Sequence, residues 1–465
     1  MEAIGWPSAI QINAYLGTGE KSASGEFSED AKRWPLRNAP PRVRAFLRPP
    51  PPANERDWTS SAVGWGVVAA DADTLTNEQR ITGSDLPEPI QALIKDRGNA
   101  PVFRYRPGWE QRFRLLRSYS NEVDVAIGQS PEGLGKESIP RYLLIVGKPD
   151  QIPWELQYVL NAYYDVGRLA LEGGALENYV AALRTQWSGA TAKPANSLVW
   201  SVNQGAADIT GLMRNAIGSA IHDKLSEDTD LKAGAKFLDG PGQATARGLV
   251  AALAADRPGL VVTTSHGQTY PLDNLKLLSD GLGLLVDQEF ASVQVADLLG
   301  AWQPDGAIWY AHACCSAGSS NQTLFEGLTQ DGSEVDRILK GVAALGSHVA
   351  PLPMALLGAK KPARAFVGHV EPTFDWTLRN PDTRQLLTGS IQEALYNELY
   401  QPSPIGHALR KCYERLGALY ASYDAASVQF GRGENTRDTM LKSLLAARDV
   451  QSMVLLGDPT AGLAG

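Results

Sequence analysis

The sequence predicts an α/β protein, a three-layer α/β/α sandwich around a mostly parallel sheet, and three observations carry that prediction. Short, continuous apolar runs rich in β-branched residues recur along the chain, the pattern of strands buried on both faces. From residue 194 onward they alternate with runs of helical spacing, the order that implies parallel neighbours. Two of the runs end in a histidine and a cysteine, and in open parallel sheets ligands bind beyond the carboxyl ends of the strands.

Residues 1–125 read as an irregular N-terminal accessory region. Pro40, Pro41 and the run from Pro49 to Pro52 interrupt any element, and only short apolar pieces such as 63–70 stand out. From Arg141 the pattern sharpens: 142–146 is an apolar strand closed by Gly147, 151–154 turns the chain, 164–168 is a second short strand, and 175–187 has helical spacing. Residues 126–193 therefore form a small α/β subdomain, bounded by Lys193-Pro194. In the remaining unit, 194–465, strands are expected at 198–202, 235–238, 260–264 and 307–311, with helices at 209–225, 244–255 and 293–302 between them. Beyond the fourth strand the pattern gives helices at 335–344, 388–399 and 405–423, a strand at 363–368 and a last apolar strand at 453–456.

Composition narrows the function classes. At 465 residues the chain exceeds one ordinary core, and 43% hydrophobic with 20% charged residues describes a globular protein. A net charge of −8 without Lys/Arg clusters argues against direct nucleic-acid binding. The N-terminus has no basic stretch followed by an apolar one, and no run of about 18 apolar residues occurs, so a cytoplasmic protein without membrane attachment is expected. Three cysteines, Cys314, Cys315 and Cys412, make no disulfide framework. The adjacent pair also lacks the two-to-four-residue spacing of metal ligands, so neither metal nor organic cofactor is expected.

The two reactive strand ends are Leu260-Val-Val-Thr-Thr-Ser-His266-Gly267 and Ala307-Ile-Trp-Tyr-Ala-His-Ala-Cys314, one crossover apart. A thiol nucleophile needs a neighbouring base to raise its thiolate fraction, and an imidazole suits that task. Gly267 lets the backbone approach a scissile carbonyl, so its N–H and that of Cys314 are the candidate oxyanion hole. The small residues at 316–320 leave room for a peptide. Cys315 falls on the opposite side if the strand pattern continues and reads as packing, as does Cys412 on a helix.

A hydrophobic block ending in His-Gly followed by one ending in Ala-Cys resembles the caspase, legumain, gingipain, clostripain and CHAT peptidases. Ala313-Cys314-Cys315-Ser316-Ala317-Gly318 is similar to the nucleophile segment of legumain and CHAT members, which assigns Cys314 rather than Cys315. Leu143-Leu-Ile-Val-Gly147 with Ile152-Pro153, Gln157 and Val166-Gly-Arg168 resembles the subdomain preceding the gingipain core, and Val454-Leu-Leu-Gly-Asp-Pro459 the closing strand of CHAT and clostripain-type domains. The likeness spans about 126–465. It implies a caspase-like peptidase domain and a cysteine endopeptidase acting on a protein or peptide substrate. It also implies a regulated bacterial defence effector that answers to a partner protein and cleaves a gasdermin-like or other target. By the same analogy His312 and Asn203 are candidate pocket residues, and the loops 316–334 and 347–361 a candidate gate. The rival expectation is a non-catalytic scaffold on the same fold.

Overall fold

A computed structural model describes residues 8–17, 23–29, 31, 34, 53–106 and 115–463. The proline-broken stretch from Pro40 to Pro52 lies outside the described residues. Twelve strands form one sheet. In chain order they are β1 (Trp65–Ala70), β2 (Val102–Tyr105), β3 (Leu115–Ser118), β4 (Val123–Ala126), β5 (Tyr142–Val146) and β6 (Asp165–Leu169). Then follow β7 (Lys193–Ser201), β8 (Ala235–Asp239), β9 (Pro258–Thr264), β10 (Ile308–His312), β11 (Ala365–His369) and β12 (Met453–Gly457). Across the sheet the order is β8-β7-β9-β10-β11-β12-β6-β5-β1-β2-β3-β4. Neighbours are parallel except β11 with β12, β2 with β3 and β3 with β4.

The protein is thus α/β with a large, mostly parallel sheet. Every residue of β9, β10, β11 and β12 is buried, so both faces of the centre are covered, which is why these strands read as largely apolar runs. The sheet also runs across the division expected near residue 125, because β1 pairs with β5 over Trp65 to Ala69. Residues 65–105, expected to be irregular, hold two strands and two helices, Asn77–Thr82 and Glu88–Asp96. The first helix opens on a capping box, with Thr76 accepting from the Gln79 N–H and the Gln79 side chain returning the contact.

The seam between the two halves is a close backbone approach. A Cβ on Gly167 would lie 2.1 Å from the Gly457 carbonyl oxygen, so only glycine lets β6 lie against β12 there. Next to it the Arg168 guanidinium is fully buried and donates to Gln157 Oε1 at 2.9 Å, the Ile152 carbonyl at 2.8 Å and the Gly147 carbonyl at 3.1 Å. It lies 4.6 Å from the centre of the Trp154 ring, and burial brings its pKa down to about 9. Trp154 in turn donates to the Ser319 carbonyl at 2.8 Å, which ties the first half to the chain just beyond Cys314.

Two expectations are corrected at the helices. The segment 347–361 is not a loop: Pro351–Gly358 is helical, with proline in the first turn, where its missing N–H would be unpaired anyway. The run 405–423 is two helices, Ile405–Tyr413 and Arg415–Gly431. The expected 209–225 helix is present as Ile209–Met213, a π-helical turn Arg214–Ser219 and Ala220–Glu227. A long helix, Arg437–Ser452, feeds directly into β12.

Candidate active site

Strands β9 and β10 are parallel neighbours with Thr264 opposite His312, so both chains leave the sheet at the same edge. There the Ser265 N–H donates to the His312 carbonyl at 3.3 Å, and His266–Gln268 forms a short strand of its own. A Cβ on Gly267 would sit 1.9 Å from the Cys314 carbonyl oxygen and 3.0 Å from its amide nitrogen. The glycine after the histidine is therefore demanded by the backbone of Cys314 itself, and the contact locks the two strand ends together.

His266 is fully buried, and its Nε2 lies 3.1 Å from Asp208 Oδ2. Among the described residues its Nδ1 has no hydrogen-bond partner. A carboxylate facing Nε2 places the proton there, which leaves the Nδ1 lone pair available. Asp208 is itself fixed, because its Oδ1 caps the helix starting at Ile209, accepting from the Thr210 N–H at 2.8 Å and its hydroxyl at 2.5 Å. One carboxyl group thus begins a helix with one oxygen and orients the imidazole with the other.

Cys314 is fully buried, and its thiol donates to the carboxamide oxygen of Asn13. Burial pushes the thiol pKa well up and Cys315 adds to the rise, while the Thr373 and Asn13 amides pull the other way. In this arrangement the sulfur holds its proton. Cys315 adopts a left-handed backbone, φ 55°, and packs in a cluster with Trp34, Phe325 and Leu328. Cys412 is buried on its helix.

A chain segment covers these groups. Ile10, Ile12 and Asn13 are fully buried, and Ala14–Tyr15 pairs in parallel with His266–Gln268, Ala14 opposite Gly267. The Gly267 N–H donates to the Asn13 carbonyl at 2.8 Å. The Tyr15 ring stacks on His266 with centroids 6.4 Å apart.

Of the residues picked from sequence, Gly267 and Cys314 meet through their backbones, which brings His266 and Cys314 to the same pair of strand ends, whereas Asn203 and His312 do not join them. The Asn203 N–H donates to Gln288 Oε1 at 2.8 Å and its carbonyl accepts from Gln288 Nε2 at 2.7 Å, so it braces the loop that carries Asp208. His312 is enclosed beside Tyr310, whose hydroxyl is 3.0 Å from its Nδ1, and meets His369 edge-on at 4.8 Å. Burial brings its pKa down to about 3, so it is neutral. His369 ends β11 inside this cluster. Sequence reading missed Asp208 and Asn13. The first carries a signal, an aspartate directly before a helical run; the second carries none.

The chain matches no protein-family model, no curated protein and no solved structure. No helix among the described residues is long and apolar enough to cross a membrane.

Proposed function

We propose that this chain is a cysteine endopeptidase of the caspase-like type, with Cys314 as nucleophile and His266 as general base. The observation that carries the reading is the convergence, at the ends of adjacent parallel strands, of a fully buried thiol and an imidazole whose Nδ1 has no partner among the described residues, with the backbones held together at Gly267. The Cys314 thiol passes its proton to His266 and the thiolate attacks a peptide carbonyl. The Gly267 and Cys314 N–H groups stabilise the developing oxyanion, and His266 returns the proton to the departing amine. Water then hydrolyses the thioester. Asp208 acts as a positioning residue that fixes the ring and favours its charged form once the proton arrives. The sequence resemblance supports the same chemistry and a role as a regulated effector directed at a protein target.

The complete burial of Cys314 favours one other reading, a non-catalytic scaffold on the same fold. A mixed peptide library incubated with the parent protein and with Cys314→Ala separates the two. Cleavage by the parent alone is expected; equal cleavage by both proteins, or none by either, would overturn the peptidase reading.

A further inference from the structure

The geometry points to Ile10–Tyr15 as an intramolecular substrate strand, which closes the site and is cut by it between Asn13 and Ala14. The inference rests on the peptidase reading and adds the site's first substrate and its regulation.

The segment runs as two short strands, Ala9–Gln11 and Ala14–Tyr15, joined through Ile12 and a bend at Asn13, and contacts hold it on both sides of that bend. On the amino side Ile12 bridges antiparallel to Phe374, and the Gln11 N–H faces the Asp375 carboxylate. At the centre the Asn13 carbonyl oxygen receives the Gly267 N–H at 2.8 Å, the contact assigned above to a developing oxyanion. The Asn13 amide also reaches the Cys314 sulfur, so the sulfur lies against the main chain of this residue. On the carboxyl side Ala14 and Tyr15 pair with Gly267 and Gln268, and the Tyr15 carbonyl accepts from the Thr269 N–H at 3.3 Å. The Gly267 N–H bond to Asn13 is the ladder bond of the parallel pairing of Ala14 with Gly267, and the residue whose carbonyl it holds is also the one whose side chain takes the Cys314 thiol.

The Asn13 side chain is also enclosed. Its oxygen takes the Cys314 thiol and, at 3.5 Å, the Thr373 N–H, while its Nδ2 lies 3.6 Å from Met213 Sδ. This lining of amide, thiol and thioether suits a short uncharged side chain and disfavours a carboxylate or a cation. External substrates are therefore expected to present a residue of Asn character at the same place.

In the cut, the Cys314 sulfur bonds to the Asn13 carbonyl carbon as the bond to the Ala14 nitrogen breaks, and the thiol proton travels through His266 to the new Ala14 amine. Water hydrolyses the thioester, giving an Asn13 carboxylate and restoring the thiol. Among the described residues the chain up to Asn13 is then retained without a covalent link to Ala14, by the pairing of Ala9–Gln11 with Ser24–Glu26, the Ile12 bridge to Phe374 and contacts such as the Gln11 side chain on the Ala207 carbonyl.

Intact mass and N-terminal sequencing of the full chain test this. The parent is expected to accumulate a fragment beginning at Ala14, at a rate independent of protein concentration, while Cys314→Ala stays whole and Asn13→Asp is cut at least tenfold more slowly. In the His266→Ala background, where the strand stays uncut, adding Ile12→Asp to expel it is expected to speed iodoacetamide alkylation of Cys314 at least tenfold. Absence of the Ala14 terminus, a rate that scales with concentration, a one-dalton gain at Asn13 without chain scission, or unchanged alkylation would each overturn the inference. Library peptides cut by Ile12→Asp with no Ala14 terminus from the parent would remove this inference alone, whereas no hydrolysis by any variant would remove the peptidase reading beneath it.

Discussion

The main-chain carbonyl of Asn13 accepts the Gly267 N–H at 2.8 Å, although 254 positions separate the two residues in the chain. The Gly267 amide is free to reach that carbonyl because its own Cα sits against the Cys314 backbone, where a Cβ would lie 1.9 Å from an oxygen. Gly267→Ala should therefore push the two strand ends apart. A loss of about 3 kcal/mol or more in urea unfolding is expected, at the upper end for overpacking, together with loss of hydrolysis. A variant as stable and as active as the parent would show that the contact yields easily.

Asp208→Asn keeps the helix cap, since asparagine caps as well as aspartate, but removes the negative charge facing His266. Peptide hydrolysis should fall about 10- to 1000-fold in kcat with little change in KM and little change in melting temperature. Asp208→Ala should lose the cap as well and cost a further ~1 kcal/mol of stability.

The neighbouring cysteines should separate cleanly. Cys314→Ala should abolish hydrolysis and leave the fold intact. Cys315→Ala, deep among Trp34, Phe325 and Leu328, should cost about 1 kcal/mol in chemical denaturation and retain at least half of the activity. The opposite ranking would transfer the nucleophile to Cys315.

Buried carboxyl groups give the fold a pH dependence of defined sign. Burial raises Glu371 from 4.5 to about 7, Asp449 from 3.8 to about 7 and Asp375 from 3.8 to about 6. A carboxyl whose folded pKa lies above its unfolded value binds its proton more tightly in the folded chain. Stability should thus decline as pH rises from about 4 to about 7 and level off above. Glu371→Gln, which preserves partners for the Leu324 N–H and the Thr323 hydroxyl, should flatten part of that slope and stabilise the protein at pH 8 by on the order of 3 kcal/mol. Thermal melts from pH 5 to pH 8 check it; a parent profile that rises with pH would refute the assignment.

The parts of this architecture visible in the sequence are those whose physics is local. Strands β9 to β12 are buried along their whole length and therefore apolar through most of it, and His266-Gly267 and Ala313-Cys314 mark where two of them end. Long-range pairing leaves a weaker trace. The union of β1 with β5 depends on residues some 75 positions apart, and nothing in 65–70 alone distinguishes a sheet strand from a short apolar loop. Helix Pro351–Gly358 is apolar through most of its length and carries two prolines, so no helical period stands out. In the N-terminal strand, Ile10 and Ile12 alternate with Gln11 and Asn13, a period-two pattern too short to announce itself. Asn203 and Asp208 lie in the same stretch after β7, and the residue that turns toward His266 is Asp208, five positions on, where the helix begins.

The central claim is that Cys314 becomes a nucleophile through His266, and its most direct measurement is the rate at which a peptidyl electrophile modifies Cys314. In protein carrying Ile12→Asp, where the covering strand is displaced, mass spectrometry should find a single adduct on Cys314. Adding His266→Ala should slow its formation at least tenfold at pH 7. An adduct that forms on Cys314 at the same rate with and without His266, or that forms only on Cys315 or Cys412, would contradict the account.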